Sequence, residues 1–262
     1  MCTIGSLLPR RGGTVLTFKQ CDLALPVSFM EPKIREGAGG TRYVAFEREG
    51  AGGPWAGFNE HGVCLMGADA YLDDDGDVEP EGDVMEAYED TLAHCETALE
   101  AASFMPAAYE ALRVPDIVLV SDVHRAFVVE HSPAHGSHRR EKRRGALVST
   151  NHFQHLPGAV TPEDNRSTYL RLQRARELLE GAAGLEDVLA LLLDQDCGPT
   201  ELSICRVAQE DGEYFTQASL VVAVHPDSRV DCLYLLDGNP HTRPFVRWLD
   251  VFGESMKLVQ EA

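Results

Sequence analysis

The chain has 262 residues, 44% of them hydrophobic and 25% charged, with a formal net charge of -19 at pH 7. These proportions are close to those of globular domains and exclude wholesale disorder. The negative charge argues against a nucleic-acid partner, because phosphate binding needs a basic surface. No apolar run approaches the roughly 18 residues of a membrane-spanning helix, so we expect no membrane partner.

The N-terminal segment and the cysteines both indicate the cytoplasm. Ser6-Leu7-Leu8 is followed at once by Pro9-Arg10-Arg11, so the apolar stretch is too short for a secretory signal. The seven cysteines are odd in number and form no CxxC pair; they lie at positions 2, 21, 64, 95, 197, 205 and 232. This usage fits reduced thiols in a cytosolic protein.

The first expected elements in chain order are short β-rich runs separated by turn residues. The runs that predict strands are Thr14–Phe18, Arg42–Phe46, Gly62–Met66, Ile117–Val120, Ala126–Val129, Leu202–Cys205, Ser219–Val224 and Cys232–Leu236. Several are almost continuously apolar, which is typical of a sheet that is covered on both faces.

Two helical regions separate these strands. Apolar residues recur at steps of three and four over residues 84–102, and a second helical stretch covers residues 167–193 with a break at residues 181–184. Because the elements do not alternate strictly, we expect a layered α+β architecture. Residues 73–82 resemble a calcium loop but carry Val78 where the turn needs glycine, so we interpret them as a surface loop. The basic run at residues 139–144 is interpreted as a solvated loop between strands, with anion docking as its alternative.

Cys2 raises a chemical question, because removal of Met1 would leave it as the N-terminal residue. It would then carry a thiol and a free α-amine together, and an N-terminal amine can act as the base that activates a nucleophile. The ordinary pKa of an α-amine is about 7.7 to 8.0, so the amine is partly neutral near pH 7. The alternative is that Cys2 is merely the second residue of the chain.

Several short motifs, each weak alone, follow one another in a specific order. They are Met1-Cys2-Thr3, Phe18-Lys19-Gln20-Cys21-Asp22, the turn at residues 57–63, Ser121-Asp122 with Val128-Val129-Glu130, Ser149-Thr150-Asn151-His152-Phe153, Arg171-Leu172-Gln173-Arg174-Ala175 and the tail at residues 236–245. Together they resemble the N-terminal-nucleophile (Ntn) cysteine hydrolases, most closely the acyl-coenzyme A:6-aminopenicillanic-acid acyltransferase-like group. Penicillin V acylases and bile salt hydrolases are similar relatives.

The resemblance implies a four-layer αββα sandwich in which residues 2–262 form a single domain and Met1 is removed. It implies that the Cys2 sulfur attacks an amide or thioester carbonyl and forms an acyl-enzyme, which water or an acceptor amine resolves. Asp22 would hold the α-amine, and Asn151 would bind the oxyanion. Without the resemblance, Asp22 is a turn residue after a strand and Asn151 belongs to a strand-end turn.

Two basic residues complete the implied site. Arg171 matches an active-site arginine of the family, although it could instead face solvent or pair with Glu177. Lys19 stands where penicillin V acylases and bile salt hydrolases have arginine, and a cation there favours the Cys2 thiolate. Lysine lacks the bidentate fork of arginine, but a similar lysine occurs in the dipeptidase and secernin-like group.

The function implied is that of an amidase or acyltransferase acting on a small N-acyl amide or acyl thioester, with an amine acceptor in the second case. The alternatives are a dipeptidase or secernin-like peptidase and a non-catalytic binding protein on the same fold. We expect no cofactor and no metal, because the histidines at positions 131, 135 and 138 are loosely spaced and no glycine-rich phosphate motif occurs. Homo-oligomer formation is left open.

Overall fold

The computed structural model describes residues 1–9, 12–70, 83–207 and 212–253, together with the backbone of residues 257–260. Within them, the first six strands are β1 (Cys2–Leu8), β2 (Val15–Leu23), β3 (Lys33–Glu36), β4 (Arg42–Glu47), β5 (Pro54–Asn59) and β6 (Cys64–Asp69). Next come α1 (Val84–His94), α2 (Ala98–Leu112), β7 (Asp116–Ser121), β8 (Ala126–Ser132), β9 (Gly136–Lys142) and β10 (Gly145–Ser149). The last elements are α3 (Arg166–Leu178), α4 (Leu185–Leu192), β11 (Phe215–Val224), β12 (Val230–Leu236), β13 (Val246–Leu249) and β14 (Lys257–Gln260).

The strands form two antiparallel sheets that pack face to face. Sheet 1 has the strand order β10-β1-β2-β11-β12-β13-β14, and sheet 2 has the order β3-β4-β5-β6-β7-β8-β9. Apolar side chains such as Ile4 and Phe58 fill the space between the sheets. Helices α1 and α2 cover the outer face of sheet 2, and helices α3 and α4 cover the outer face of sheet 1. The predicted four-layer αββα sandwich is therefore confirmed.

Coverage on both faces explains the apolar character of the central strands. Every residue of β1 is buried, as are all but the last of β2. Gly5 of β1 lies opposite Phe18 of β2, and a Cβ atom at Gly5 would come within 2.3 Å of the Phe18 ring. Glycine therefore lets the aromatic ring of β2 cross β1 without a clash.

The helical region predicted over residues 84–102 is helical, but it is divided between two helices and is not one continuous helix. The chain leaves α1 at Cys95 and begins α2 after Thr97. The Thr97 side chain accepts a hydrogen bond from the Glu100 amide, while Glu100 accepts one from the Thr97 amide. This capping box starts a new helix, which then continues through Pro106. The predicted break within residues 167–193 is confirmed between α3 and α4.

Two predictions on the strands are wrong. Residues 202–205 form turns and not a strand, although Ile204 and Cys205 are fully buried. The basic run at residues 139–144 is not a loop, since most of it lies in β9, at the edge of sheet 2. Exposed charges on an edge strand discourage pairing with another chain, which explains why a strand at this position can be so strongly charged. The surface loop predicted at residues 73–82 lies outside the described residues.

Two further findings concern the described residues as a whole. None of their helices combines the length and the apolar character that a membrane crossing requires. All seven cysteines fall within the described ranges, and each is a free thiol.

Candidate active site

The site lies where β1 begins and β2 ends. Asp22 donates its backbone N–H to the Met1 carbonyl oxygen at 2.8 Å, and the Met1 ammonium donates to the Asp22 carbonyl oxygen at 2.5 Å. The next pair along the strands, Cys2 and Cys21, is therefore a non-hydrogen-bonded pair, in which facing side chains come closest. Both thiols are buried and belong to the core between the two sheets.

The surroundings of Cys2 favour its thiolate. A hydrogen bond with the Cys21 thiol lowers the pKa of Cys2 to about 5, and the charges of Lys19 and of the N-terminal ammonium act in the same direction against the effect of burial. The same interaction and burial raise the pKa of Cys21 well above its usual value. Because the thiolate is the reactive form of cysteine, this environment suits a nucleophile. The contribution of Cys21 was missed in the sequence, although it directly precedes Asp22.

Lys19 reaches across the space between the sheets. Its ammonium donates to the carbonyl oxygens of Gly67 at 2.6 Å and Trp55 at 3.1 Å, and it lies 4.8 Å from the centre of the Trp55 ring. Lys19 is 3% exposed and sits two residues before Cys21 on the same strand, so both side chains point to the same face. The two carbonyls hold the ammonium of Lys19 in place, and its charge lowers the pKa of Cys2.

Asn151 follows β10, the strand beside β1, and connects Cys2 to sheet 2. Its Oδ1 accepts a hydrogen bond from the Cys2 backbone N–H at 2.7 Å, and its Nδ2 donates to the Asp69 carbonyl oxygen at 2.8 Å. These contacts fix which side of the amide carries the nitrogen. An amide nitrogen has two hydrogens, so Nδ2 keeps a second one for a further acceptor.

Arg171 of α3 is buried in the site and does not face solvent. It donates to the Cys2 carbonyl oxygen, to Thr3 Oγ1 at 3.0 Å and to Asn151 Oδ1 at 3.1 Å. The pairing with Glu177 belongs to Arg174, whose Nη1 lies 3.8 Å from a Glu177 carboxylate oxygen. The two arginines of this motif therefore have different roles, which their spacing alone did not separate.

Asp22 lies inside β2, fully buried, and not in a turn. Thr216 of β11 donates to its Oδ1 at 2.7 Å, and the Nε of Arg206 lies 3.2 Å from its Oδ2. That ion pair lacks hydrogen-bond geometry, so no donor among the described residues satisfies Oδ2. Arg206 was missed in the sequence because its neighbours, residues 202–205, carry a strand-like pattern and no motif.

The α-amine in this structure belongs to Met1 and is held at the same strand end. Burial lowers the pKa of this α-amine from its ordinary value, although Cys2, Asp22, Asp69 and Cys21 oppose the shift. This shift is that of the Met1 amine, and an α-amine on Cys2 exists only after Met1 is removed.

All five site residues predicted from the sequence thus meet around the first residues of β1. A buried thiol of low pKa, an amide with a spare hydrogen and a carboxylate with a spare acceptor lie within one small region. In this arrangement the thiol can attack a carbonyl carbon, the amide can hold the resulting oxyanion, and the carboxylate can orient an amine. No cluster of three or more metal-ligating side chains occurs among the described residues.

A groove of about 1040 Å³ runs along β10 and α3, next to this region. Its lining includes Arg140, His152 and Tyr169, and the rings of His152 and Tyr169 stack with their centres 3.9 Å apart. None of the five site residues lines this groove.

Comparisons with known proteins support the fold. No family model and no curated protein sequence matches the chain. The C2A mutant of conjugated bile acid hydrolase from Clostridium perfringens is similar in structure, with a TM-score of 0.57 at 13% identity, over 100% of this chain and 97% of the other. The Caenorhabditis elegans ortholog of N-acylethanolamine-hydrolyzing acid amidase gives 0.59 at 13% identity, over 84% and 92%. Penicillin V acylase from Agrobacterium tumefaciens gives 0.54 at 14% identity, over 99% and 98%.

Proposed function

We propose that this protein is an amide-bond hydrolase that uses Cys2 as its N-terminal nucleophile, after removal of Met1, with residues 2–262 acting as a single domain. The observation that carries the proposal is the convergence of Cys2, Asp22 and Asn151 at the start of β1. The structural neighbours support it by analogy of fold, since their names are those of a conjugated bile acid hydrolase, an N-acylethanolamine-hydrolyzing acid amidase and a penicillin V acylase. The bile acid hydrolase was solved as a C2A mutant, so that enzyme also has cysteine at position 2.

The proposed reaction begins when the Cys2 sulfur attacks the carbonyl carbon of an N-acyl amide. The oxyanion that forms accepts a hydrogen bond from the second hydrogen of Asn151 Nδ2. The Cys2 α-amine, which has taken the thiol proton, returns it to the leaving nitrogen as the carbon–nitrogen bond breaks. A thioester then joins the acyl group to Cys2, and the free amine product leaves.

Water resolves the thioester in the second half of the reaction. The α-amine takes a proton from the water as its oxygen attacks the thioester carbonyl, and this proton then returns to the Cys2 sulfur as the carbon–sulfur bond breaks. The products are a carboxylic acid and the original enzyme. An acceptor amine in place of water would give acyl transfer by the same steps, and an acyl thioester would serve as donor in the same way.

Intact mass and thiol labelling of untagged protein test the proposal. We expect a mass without Met1, and at pH 6 we expect a limiting electrophile to modify Cys2 before Cys197, because the low pKa of Cys2 keeps its thiolate populated. Cys197 is the matched control, since it is the cysteine with an exposed side chain. A retained Met1, or label on Cys197 first, would contradict the proposal.

Turnover is then measured on N-acyl amides, short peptides and acyl thioesters by the release of amine or thiol. The Cys2→Ala variant should lose turnover, and the Cys197→Ala variant should keep it. Turnover of short peptides alone would assign the protein to the peptidase alternative. Turnover that survives in the Cys2→Ala variant would refute the role of Cys2.

A further inference from the structure

Arg206 and Asp22 form an ion pair deep inside the protein. Neither side chain has any exposed surface, and Arg206 Nε lies 3.2 Å from Asp22 Oδ2. A carboxylate at such depth is costly unless an opposite charge lies beside it. Arg206 supplies that charge without filling the hydrogen-bonding capacity of Oδ2.

The backbone near Arg206 also fixes the other oxygen of Asp22. The Arg206 backbone N–H donates to Thr216 Oγ1 at 2.9 Å, and this hydroxyl donates to Asp22 Oδ1 at 2.7 Å. The Thr216 backbone N–H in turn donates to the Arg206 carbonyl oxygen at 3.2 Å. The carboxylate is therefore held through Oδ1 while Oδ2 faces the guanidinium, so its orientation is set by both.

Ser167 at the start of α3 anchors the guanidinium itself. Arg206 Nη2 donates to Ser167 Oγ at 2.7 Å, and Ser167 Oγ donates to the Glu201 carbonyl oxygen at 2.7 Å. The two terminal nitrogens of Arg206 also lie 3.7 and 3.8 Å from the Met1 sulfur. Arg206 thus reaches the residue that adjoins Cys2.

Building on the proposed function, we infer that Arg206 is a positioning residue: it holds the Asp22 carboxylate charged and oriented so that Oδ2 accepts a hydrogen bond from the Cys2 α-amine. Arg206 acts through Asp22 and not on the substrate. The titratable and charged groups that surround Met1 and the Cys2 thiol in this structure come from several elements: Asp22, Cys21 and Lys19 from β2, Asp69 from β6 and Arg171 from α3. Arg206 therefore modulates an amine that already has other charged neighbours.

The sign of the effect follows from these charges. Without the positive charge of Arg206, the Cys2 ammonium is the cation that keeps the buried Asp22 carboxylate charged, so the ammonium form becomes more favourable. The base is the neutral amine, and its formation should therefore require a higher pH. We expect the acidic limb of kcat against pH to move upward by about one unit in the Arg206→Gln variant.

The experiment compares Arg206→Gln and Arg206→Lys with Arg174→Gln, an arginine of the same protein whose ion pairs with Asp194 and Glu177 lie away from Cys2. Rates are normalised to the amount of Cys2 that an electrophile titrates. We expect Arg206→Gln to lower kcat at pH 7 by about 100-fold with KM within about threefold, and Arg206→Lys to recover part of kcat and the original pH profile. Arg174→Gln should match the wild type. An Arg206→Gln variant with wild-type kcat and pH profile would overturn the inference.

Two further measurements keep the test decisive. If Arg206→Gln does not fold, the effect of Arg206→Lys on kcat is measured in the wild-type protein and in the Asp22→Asn variant. We expect Arg206→Lys to lower kcat in the wild-type protein but not in the Asp22→Asn variant. Equal losses of kcat in the two proteins would overturn the inference. NMR titration of the α-amine in the Cys2→Ala variant, with and without Arg206→Gln, needs no substrate. An unchanged amine pKa there refutes the inference, whereas absent turnover in the wild type refutes the proposed function alone.

Discussion

Substitution of Asn151 by alanine tests the oxyanion role most sharply. In the structure this side chain accepts from Cys2 N–H and Arg171 Nη2 and donates to the Asp69 carbonyl oxygen, with one amide hydrogen left. A single oxyanion donor contributes about 3 to 4 kcal/mol to the transition state, which corresponds to a loss of roughly 10² to 10³ in kcat. The loss of these three hydrogen bonds lowers the free energy of unfolding by about 2 to 3 kcal/mol.

Asn59 provides a matched control, because it is also a fully buried asparagine. Its Nδ2 donates to the carbonyl oxygens of Leu92 and Cys95, and its Oδ1 accepts from the amides of His61 and Val63. Asn59→Ala should therefore lower the free energy of unfolding by a similar amount without a change in kcat. This pair of variants therefore separates a loss of kcat from a loss in the free energy of unfolding.

The assay measures kcat with saturating N-acyl amide, normalised to titrated Cys2, and the free energy of unfolding from urea denaturation. Asn151→Ala should lose both activity and stability, and Asn59→Ala should lose stability alone. An Asn151→Ala variant whose kcat stays within threefold of the wild type would refute the oxyanion role. Equal losses of kcat in both variants would show that the effect of Asn151 is structural.

Three further predictions concern charge, burial and packing. Lys19→Met should raise the pKa of Cys2, because a cation that favours the thiolate is lost, so alkylation of Cys2 at pH 6 should slow by about tenfold; an unchanged rate would refute the electrostatic role. Burial raises the pKa of Asp116 to about 7, so the stability it contributes is present below the unfolded-state pKa of about 4 and is lost as the pH rises through 7. Asp116→Asn should remove that decrease, up to about 4 kcal/mol in urea unfolding between pH 4 and pH 8, and an unaltered pH dependence would contradict the assignment. Gly5→Ala should destabilise the protein by about 1 to 3 kcal/mol, since the new Cβ would lie 2.3 Å from the Phe18 ring; thermal unfolding at the wild-type temperature would exclude this clash.

Local patterns in the sequence determined much of the architecture. Apolar runs predicted β7 and β8, and glycines predicted the break between α3 and α4, because covered strands and helix ends depend on neighbouring residues. The same patterns misled at residues 202–205, where burial comes from packing beside α3 and α4 and not from pairing in a sheet. They also missed the charged strand β9, since an edge strand needs no apolar face.

The motif order in the sequence determined which residues to consider, namely Cys2, Lys19, Asp22, Asn151 and Arg171. Tertiary structure decided how they meet. Cys2 and Asn151 lie 149 positions apart, and they touch because β10 pairs with β1. The partners of Asp22 come from residues in and before β11, which pairs with β2 although Asp22 and Thr216 are 194 positions apart. A sequence pattern indicates whether one segment is buried, whereas the pairing of buried charges depends on which strands become neighbours. The ion pair between Arg206 and Asp22 could therefore be identified only from the tertiary structure.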